Sequence, residues 1–440
     1  MENIAEVKLW GDQVGALAYD PSSGLTTFEY SPVWRKKSIQ ISPIHMPLSA
    51  QKYQFPELSY ETYKGLPAIF ADALPDDFGN AVINAWLARQ GRDPASFTSV
   101  ERLLYTGSRG MGALEFAPAI RDQKKDTPPL EIDSLVNVAQ QVLDERAQAN
   151  QKINQLDSQE NDLSAILQVG TSAGGARAKA IVAVNADRTE IRSGQVDAGQ
   201  GFEHYLLKLD GVEEHKTSSE TFGDPQGFGR MEYAYYLMAK DAGLNMSHCE
   251  LLVEGKRAHF LTKRFDRIGN KKLHYASLCA MDHADYKKPG IYSYEQLLMV
   301  ARQLSLPRQD AVEIFRRMVF NIVARNHDDH PKNFGFLLAP GSSQWRLSPA
   351  FDVAFSYKPD SPWVNSHQLT LNAKRDNFNR DDLIQFSNLI NNFRESPKVI
   401  SQVVEAVENW PFYAKKAQVF PQLTDTVASN LRVGNGFHWI

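Results

Sequence analysis

The feature that most restricts this chain is an apolar stripe that runs straight into a loop of acids and histidines. Ala311, Ile314, Phe315, Met318, Val319 and Ile322 recur at i, i+3, i+4, i+7, i+8 and i+11, the spacing of one face of a core-facing helix. The polar run Arg325-Asn326-His327-Asp328-Asp329-His330-Pro331-Lys332-Asn333-Phe334 follows. Pro331 opposes helical continuation past His330. A helix that ends this way delivers several chemically capable side chains to one place.

Either side of Asp266 the pattern changes. Before it, short apolar runs predominate: a hairpin from Val7–Trp10 through Gly11-Asp12 to Val14–Leu17, strands at Ala180–Val184 and Tyr205–Leu209, and a hairpin of Leu251–Val253 with Ala258–Leu261 around Gly255-Lys256. Helical stretches interrupt them near Ile83–Gln90, which stops at Gly91, at Ile132–Ala149, and at Met231–Ala242, which ends at Gly243. After Asp266 helical spacing prevails. The chain is therefore expected to be α+β, with a strand-rich N-terminal part and a mainly α-helical C-terminal lobe. The charged, proline-bearing stretch from Arg121 to Pro129 reads as a linker. It sets the expected division into 1–125, 126–265 and 266–440.

Composition removes several classes. The 440 residues carry a formal charge of −4, which opposes sequence-independent nucleic-acid binding over the whole surface. Only Cys249 and Cys279 are present, so neither a disulfide framework nor a four-cysteine zinc site is expected. The first residues lack a basic segment followed by an apolar run, and no stretch of about 18 apolar residues occurs. A cytoplasmic protein is the expectation.

Phosphoryl transfer to a hydroxyl needs a carboxylate to orient the nucleophile and accept its proton, with an oxygen ligand nearby for magnesium. Protein kinases place these as Asp and Asn five positions apart in a loop after a helix. Asp328 and Asn333 have that spacing. A two-His, two-Asp metal cluster, His327-Asp328-Asp329-His330, is a rival reading, as is a plain helix-terminating loop. Downstream, Phe334–Leu338, a turn at Pro340–Ser343 and Trp345–Leu347 form a predicted hairpin that delivers Asp352, where a kinase keeps its second metal ligand. Upstream, Lys208 stands inside an apolar strand and Glu232 lies in the next helix, the arrangement of the kinase Lys–Glu pair; a lysine snorkelling from an edge strand is the alternative. The small-residue loop Gly170–Lys179 suits backbone contact with phosphates, although it is not a G-x-x-x-x-G-K-[ST] loop. Lys263–Arg267 closes the strand-rich part, with Asp266 a candidate for the ribose hydroxyls. Gly107–Gly112 reads as a turn.

In order along the chain, Ser172-Ala173-Gly174-Gly175-Ala176-Arg177-Ala178-Lys179, Leu206-Leu207-Lys208-Leu209, Arg264-Phe265-Asp266-Arg267, Asp328-Asp329-His330-Pro331-Lys332-Asn333-Phe334 and Ser348-Pro349-Ala350-Phe351-Asp352 resemble the HipA family of toxin kinases. Leu74-Pro75-Asp76 and Gly110-Met111-Gly112-Ala113-Leu114 resemble its leading domain, so the likeness spans nearly the whole chain. The resemblance implies a two-lobed, protein-kinase-like fold and an ATP- and Mg2+-dependent serine/threonine protein kinase. An aminoacyl-tRNA synthetase is a family target, and a small helix-turn-helix antitoxin a family partner through which operator DNA is contacted. It further implies Asp328 as catalytic base, Asn333 and Asp352 as metal ligands, and Lys208, paired with Glu232, as the phosphate lysine. Lys263 to Phe265 would face adenine and Asp266 the ribose; Gly174, Gly175, Ala176, Lys179, His330 and Lys332 would also contact ATP. Ser172 would be the site of self-phosphorylation, with Thr171 beside it. Three departures stand out: Gly174-Gly175-Ala176-Arg177 where a glutamine near Arg177 is usual, Asp329 where glycine is usual, and Pro331 where a small residue is usual. A small-molecule or lipid kinase, and a non-catalytic ATP-binding co-repressor, are the competing functions.

Overall fold

A computed structural model describes residues 3–120, 130–148, 178–195, 197–213, 223–224, 226–434 and 436–439. Strands prevail up to Lys272 and helices beyond it, giving the mixed α+β class expected from the sequence. The chain forms two compact units. One holds Met1–Ile41, Met46–Phe228 and Leu252–Tyr275; the other holds Ser42–His45, Gly229–Leu251 and Ala276–Ile440.

The first unit contains one five-stranded sheet and most of a second. One runs in the order Lys52–Tyr53, Leu25–Tyr30, Asp12–Asp20, Ile4–Leu9, Leu114–Ala117. Its first hairpin forms as expected, with Leu9 opposite Asp12. The turn is Trp10-Gly11, one residue earlier than read, and both residues have positive φ (52° and 85°). That is the geometry of a turn whose twist matches the strands. The second sheet runs Cys249–Glu254, Arg257–Lys263, Phe202–Lys208, Lys179–Asn185, Ile191–Ser193.

Two helices cover that second sheet. Ile132–Gln148 lies where the periodicity puts it, burying Leu135, Val136, Ala139 and Val142. Asp77–Arg89 begins six residues before the expected start. Asp76 caps it, its carboxylate accepting the Gly79 N–H at 2.6 Å, a signal that the apolar spacing alone did not display. Phe78, Val82, Ile83 and Leu87 from this helix share one core with Ala180, Val182, Val184, Tyr205 and Leu207 of the sheet.

The second unit is built round the helix Arg308–Val323. Ile314, Phe315, Met318, Val319 and Ile322 are fully buried, so the apolar stripe faces the core. The Phe315 ring meets Phe386, on the helix Arg380–Asn388, and Phe393, in the loop after it, at ring-centre distances of 6.2 and 5.2 Å. The predicted hairpin follows, Gly335–Leu338 pairing antiparallel with Trp345–Leu347. Among the described residues no helix is long and apolar enough to cross a membrane.

Candidate active site

The helix ends at Val323, and Arg325 at φ 57° turns the chain into a stretch without regular structure from His327 to His330. Pro331 then opens a single 3-10 turn, Pro331–Asn333, with proline at the first position, where its missing N–H costs nothing. This turn brings Asn333 back on the chain that precedes it: its Nδ2–H donates to the Asp328 carbonyl at 2.7 Å. The Asp–Asn spacing is thus a closed loop with a physical tie. The tie fixes the orientation of the Asn333 amide and leaves its Oδ1 without a protein partner among the described residues.

Consecutive side chains in this loop point to opposite fates. The Asp328 carboxylate keeps 43% of its side-chain surface exposed, with His330 Nε2 3.7 Å away. Asp329 is completely buried: its Oδ2 accepts the Tyr294 hydroxyl at 2.6 Å and lies 2.8 Å from His367 Nδ1, and its Oδ1 accepts the Gln368 N–H at 2.7 Å. His327 is also completely buried, with Nδ1 3.1 Å from the Val364 carbonyl. Burial, the adjoining His367 and the nearby Arg432 and Arg325 push its pKa far below the usual value, so it stays neutral. The rival metal cluster is therefore not assembled: two of its four members face inward and two outward. Among the described residues no group of three or more His, Cys, Asp or Glu is placed to hold a metal ion.

Asp352 leaves the hairpin in a bend at φ 55°, a left-handed conformation that non-glycine residues adopt sparingly. The segment before it is pinned twice: Ser348 O accepts from Arg317 Nη2 at 2.7 Å and Ala350 N–H donates to Asn245 O at 2.7 Å. Tyr286 forms a shelf beside the loop, its ring 5.5 Å from that of His330 and 4.7 Å below the Lys332 ammonium.

In the first unit Lys208 is buried on a strand with neighbours on both sides, not on an edge. Cross-strand register sets it opposite Lys179 on one side and Phe260 on the other, with Nζ 5.9 Å over the Phe260 ring. Lys179 is equally buried and forms an ion pair with Asp76 at 2.9 Å. Lys179, expected at the nucleotide, is thus also engaged with the Leu74-Pro75-Asp76 motif. Glu232 is buried on the helix Phe228–Asp241 in the other unit. Lys263 is half-exposed and salt-bridged to Glu203, and the Phe265 ring lies 5.7 Å from Tyr275. Gly174, Gly175, Ala176, Ser172 and Thr171 lie outside the described residues.

Asp266, expected at the ribose, is enclosed by donors of the protein itself. Its side chain is fully buried, and both oxygens are engaged within the protein. Arg264 donates Nε–H to Oδ1 at 2.8 Å and Nη2–H to Oδ2 at 2.6 Å; Arg267 Nη1–H and Gly112 N–H each reach Oδ2 at 2.7 Å. Burial pushes the carboxyl up, yet the two guanidiniums together outweigh it and hold its pKa well below the ordinary carboxylate range. Arg264 and Arg267 also donate to the Gly110 carbonyl at 3.4 and 3.2 Å, so the glycine-rich turn is the seat of this cluster. Gly112 is required there: at φ 78°, an added Cβ would sit 3.0 Å from Tyr275 N. The two sequence pieces Gly110-Met111-Gly112 and Arg264-Phe265-Asp266-Arg267 are thus halves of one buried structure. Nothing in their spacing announced it. Neither did the sequence identify Tyr294, His367 and Arg432 as partners of the Asp328 loop region.

A family model described as HipA-like C-terminal domain matches residues 171–411, and one described as HipA N-terminal domain matches residues 5–117. Among solved structures, HipA from Shewanella oneidensis MR-1, determined with HipB and its operator DNA, superimposes at a TM-score of 0.62 with 14% identity, covering 97% of this chain and 94% of that one. At that identity the likeness speaks to the fold alone. The proinflammatory kinase CtkA of Helicobacter pylori gives a TM-score of 0.38 with 13% identity over 59% of this chain and 90% of that one, too low to carry an argument.

Proposed function

This chain belongs to the HipA family, and from that premise we propose that it is a HipA-like toxin acting as a serine/threonine protein kinase. It would move the γ-phosphate of ATP to a protein serine in the cytoplasm. The observation that carries the reading is the Asp328 loop. One carboxylate is held out towards solvent between two completely buried neighbours, and Asn333 is strapped to that residue's own carbonyl. Such a carboxylate can accept a hydroxyl proton and orient the attacking oxygen, the role of the kinase catalytic aspartate.

Asn333 Oδ1 and the Asp352 carboxylate fit magnesium, a hard cation that takes one or two protein oxygens and completes its shell with phosphate and water. Bound there, the ion would neutralise charge on the transferring phosphate. Lys208 with Glu232 is proposed for the nucleotide phosphates, together with Lys332, His330 and the Gly174–Lys179 loop, and Lys263–Phe265 for adenine. Asp266 is assigned instead to holding that last segment in shape. Ser172, with Thr171 as the alternative, is proposed as a self-phosphorylation site. The Shewanella complex supports an antitoxin partner of the HipB kind, with operator DNA reached through it. An aminoacyl-tRNA synthetase is a candidate target.

The test is incubation of the purified protein with magnesium and labelled ATP, followed by mapping of the label, alongside a folded Asp328→Ala variant. Label on Ser172 or Thr171 in the wild type, absent from the variant, is expected. Label retained by Asp328→Ala sinks the assignment. ATP binding without any label would favour the non-catalytic co-repressor.

A further inference from the structure

We propose that Asp329 is a positioning residue: it sets Asp328 for transfer by locking the catalytic loop to the segment that follows Asp352. The inference rests on the kinase reading for its activity arm and on contacts within one compact unit for everything else.

Between Asp352 and the helix Arg380–Asn388 the chain contains no regular helix or strand among its assigned elements. It is nonetheless tied to the stem of the catalytic loop at several points. Ser356 N–H donates to the Arg325 carbonyl at 3.1 Å, the Arg325 guanidinium lies 4.4 Å from the Tyr357 ring centre, and His327 reaches the Val364 carbonyl. At the centre is Asp329, whose two oxygens take the three donors of Tyr294, His367 and Gln368 already described. A hydrogen-bonded chain runs through it. The Asn321 Nδ2–H donates to the Tyr294 oxygen at 3.1 Å, the Tyr294 hydroxyl donates to Asp329, and His367 Nδ1–H donates to the same oxygen. His367 Nε2, 3.3 Å from Arg432 Nη1, is then the acceptor for the arginine. Arg432 in turn donates to the Ile322 carbonyl at 3.2 Å and pairs with Asp376, so the chain closes back on the end of the long helix.

The geometry points to positioning rather than chemistry. Asp329 has no exposed surface, so it touches no substrate, yet it is covalently next to Asp328. A carboxylate with all three donors buried transmits displacement as a rigid strut. The segment after Asp352 is thereby ordered by resident carboxylates and arginines, the task that an added phosphate performs in loops ordered by phosphorylation.

Asp329→Ala and Asp329→Asn separate this role from simple destabilisation. In Asp329→Ala, kcat for transfer from Mg-ATP should fall roughly 100-fold with KM for ATP little changed, as for a displaced catalytic group. Hydrogen exchange should speed up across residues 357–378 while the helix Arg308–Val323 keeps its protection. Asp329→Asn keeps the volume and the acceptor for Gln368 but turns an NH2 donor towards the Tyr294 and His367 donors, so it should lower kcat and speed exchange in the same sense, and it carries the test if the alanine variant does not fold. A kcat in Asp329→Ala within about threefold of wild type, or unchanged exchange in residues 357–378, overturns the proposal. Absence of transfer in the wild type would remove the kinase reading alone, because the exchange measurement still decides whether Asp329 orders this segment.

Discussion

Replacing Asp266 by asparagine distinguishes a structural carboxylate from a nucleotide-binding one. The substitution keeps volume and one acceptor oxygen but removes the charge between Arg264 and Arg267. Both guanidiniums are almost wholly buried, at 6% and 7% side-chain exposure. Arg267 is already drawn down to about 10, chiefly by burial and then by the adjacent Arg264. Stripping the partner from a buried ion pair costs about 3–5 kcal/mol, because a desolvated charge is left uncompensated. Here two cations share the lost anion, and the Gly112 N–H loses its ionic acceptor as well. Against a domain stability of about 5–15 kcal/mol this is a large fraction. At about 2–4 °C per kcal/mol for a unit of this size, the melting temperature should drop by roughly 6–20 °C. Differential scanning calorimetry without nucleotide measures it, with ATP binding by titration calorimetry at a temperature where the variant remains folded. The charge also sets a pH window. A carboxyl whose folded pKa is depressed stabilises fully above its unfolded pKa, and the gain is lost as pH falls towards the folded value. The difference between wild type and Asp266→Asn should therefore shrink as pH falls below about 4. A melting temperature within about 3 °C of wild type, together with weakened ATP binding, would rule out the structural role and return Asp266 to the ribose.

Two further outcomes are expected. In a double-mutant cycle, Asp76→Asn and Lys179→Met should couple by about 1–3 kcal/mol in chemical denaturation, since each single change leaves a buried partner behind; additive effects would show that the pair contributes nothing. His259 and His274 are fully buried and neutral, burial pushing each down to about 4. Unfolding restores an ordinary histidine near 6.5, so the unfolded chain binds more protons and stability falls as pH drops from about 6.5 to 4. Each should cost roughly 2 kcal/mol between pH 7 and 5, and a variant with both replaced by asparagine should lose this part of the slope.

Local pattern determined a good deal of this protein. The stripe on Arg308–Val323, the helix Ile132–Gln148, the Gly335–Leu347 hairpin and the strands through Ala180–Val184 and Tyr205–Lys208 all follow from periodicity and turn residues, which act over a few positions. The five-residue spacing of Asp328 and Asn333 was legible for the same reason: its tie closes within one 3-10 turn. The remaining features depend on partners far apart in sequence. Asp266 meets Gly112, 154 residues away, and becomes the centre of a buried ion cluster. Asp329 meets His367, 38 residues on, and becomes an anchor where the sequence displayed only a second acid beside the first. A carboxylate has the same composition in either role. Whether it is offered to solvent or enclosed by donors depends on which distant surfaces pack over it, and no local propensity encodes that.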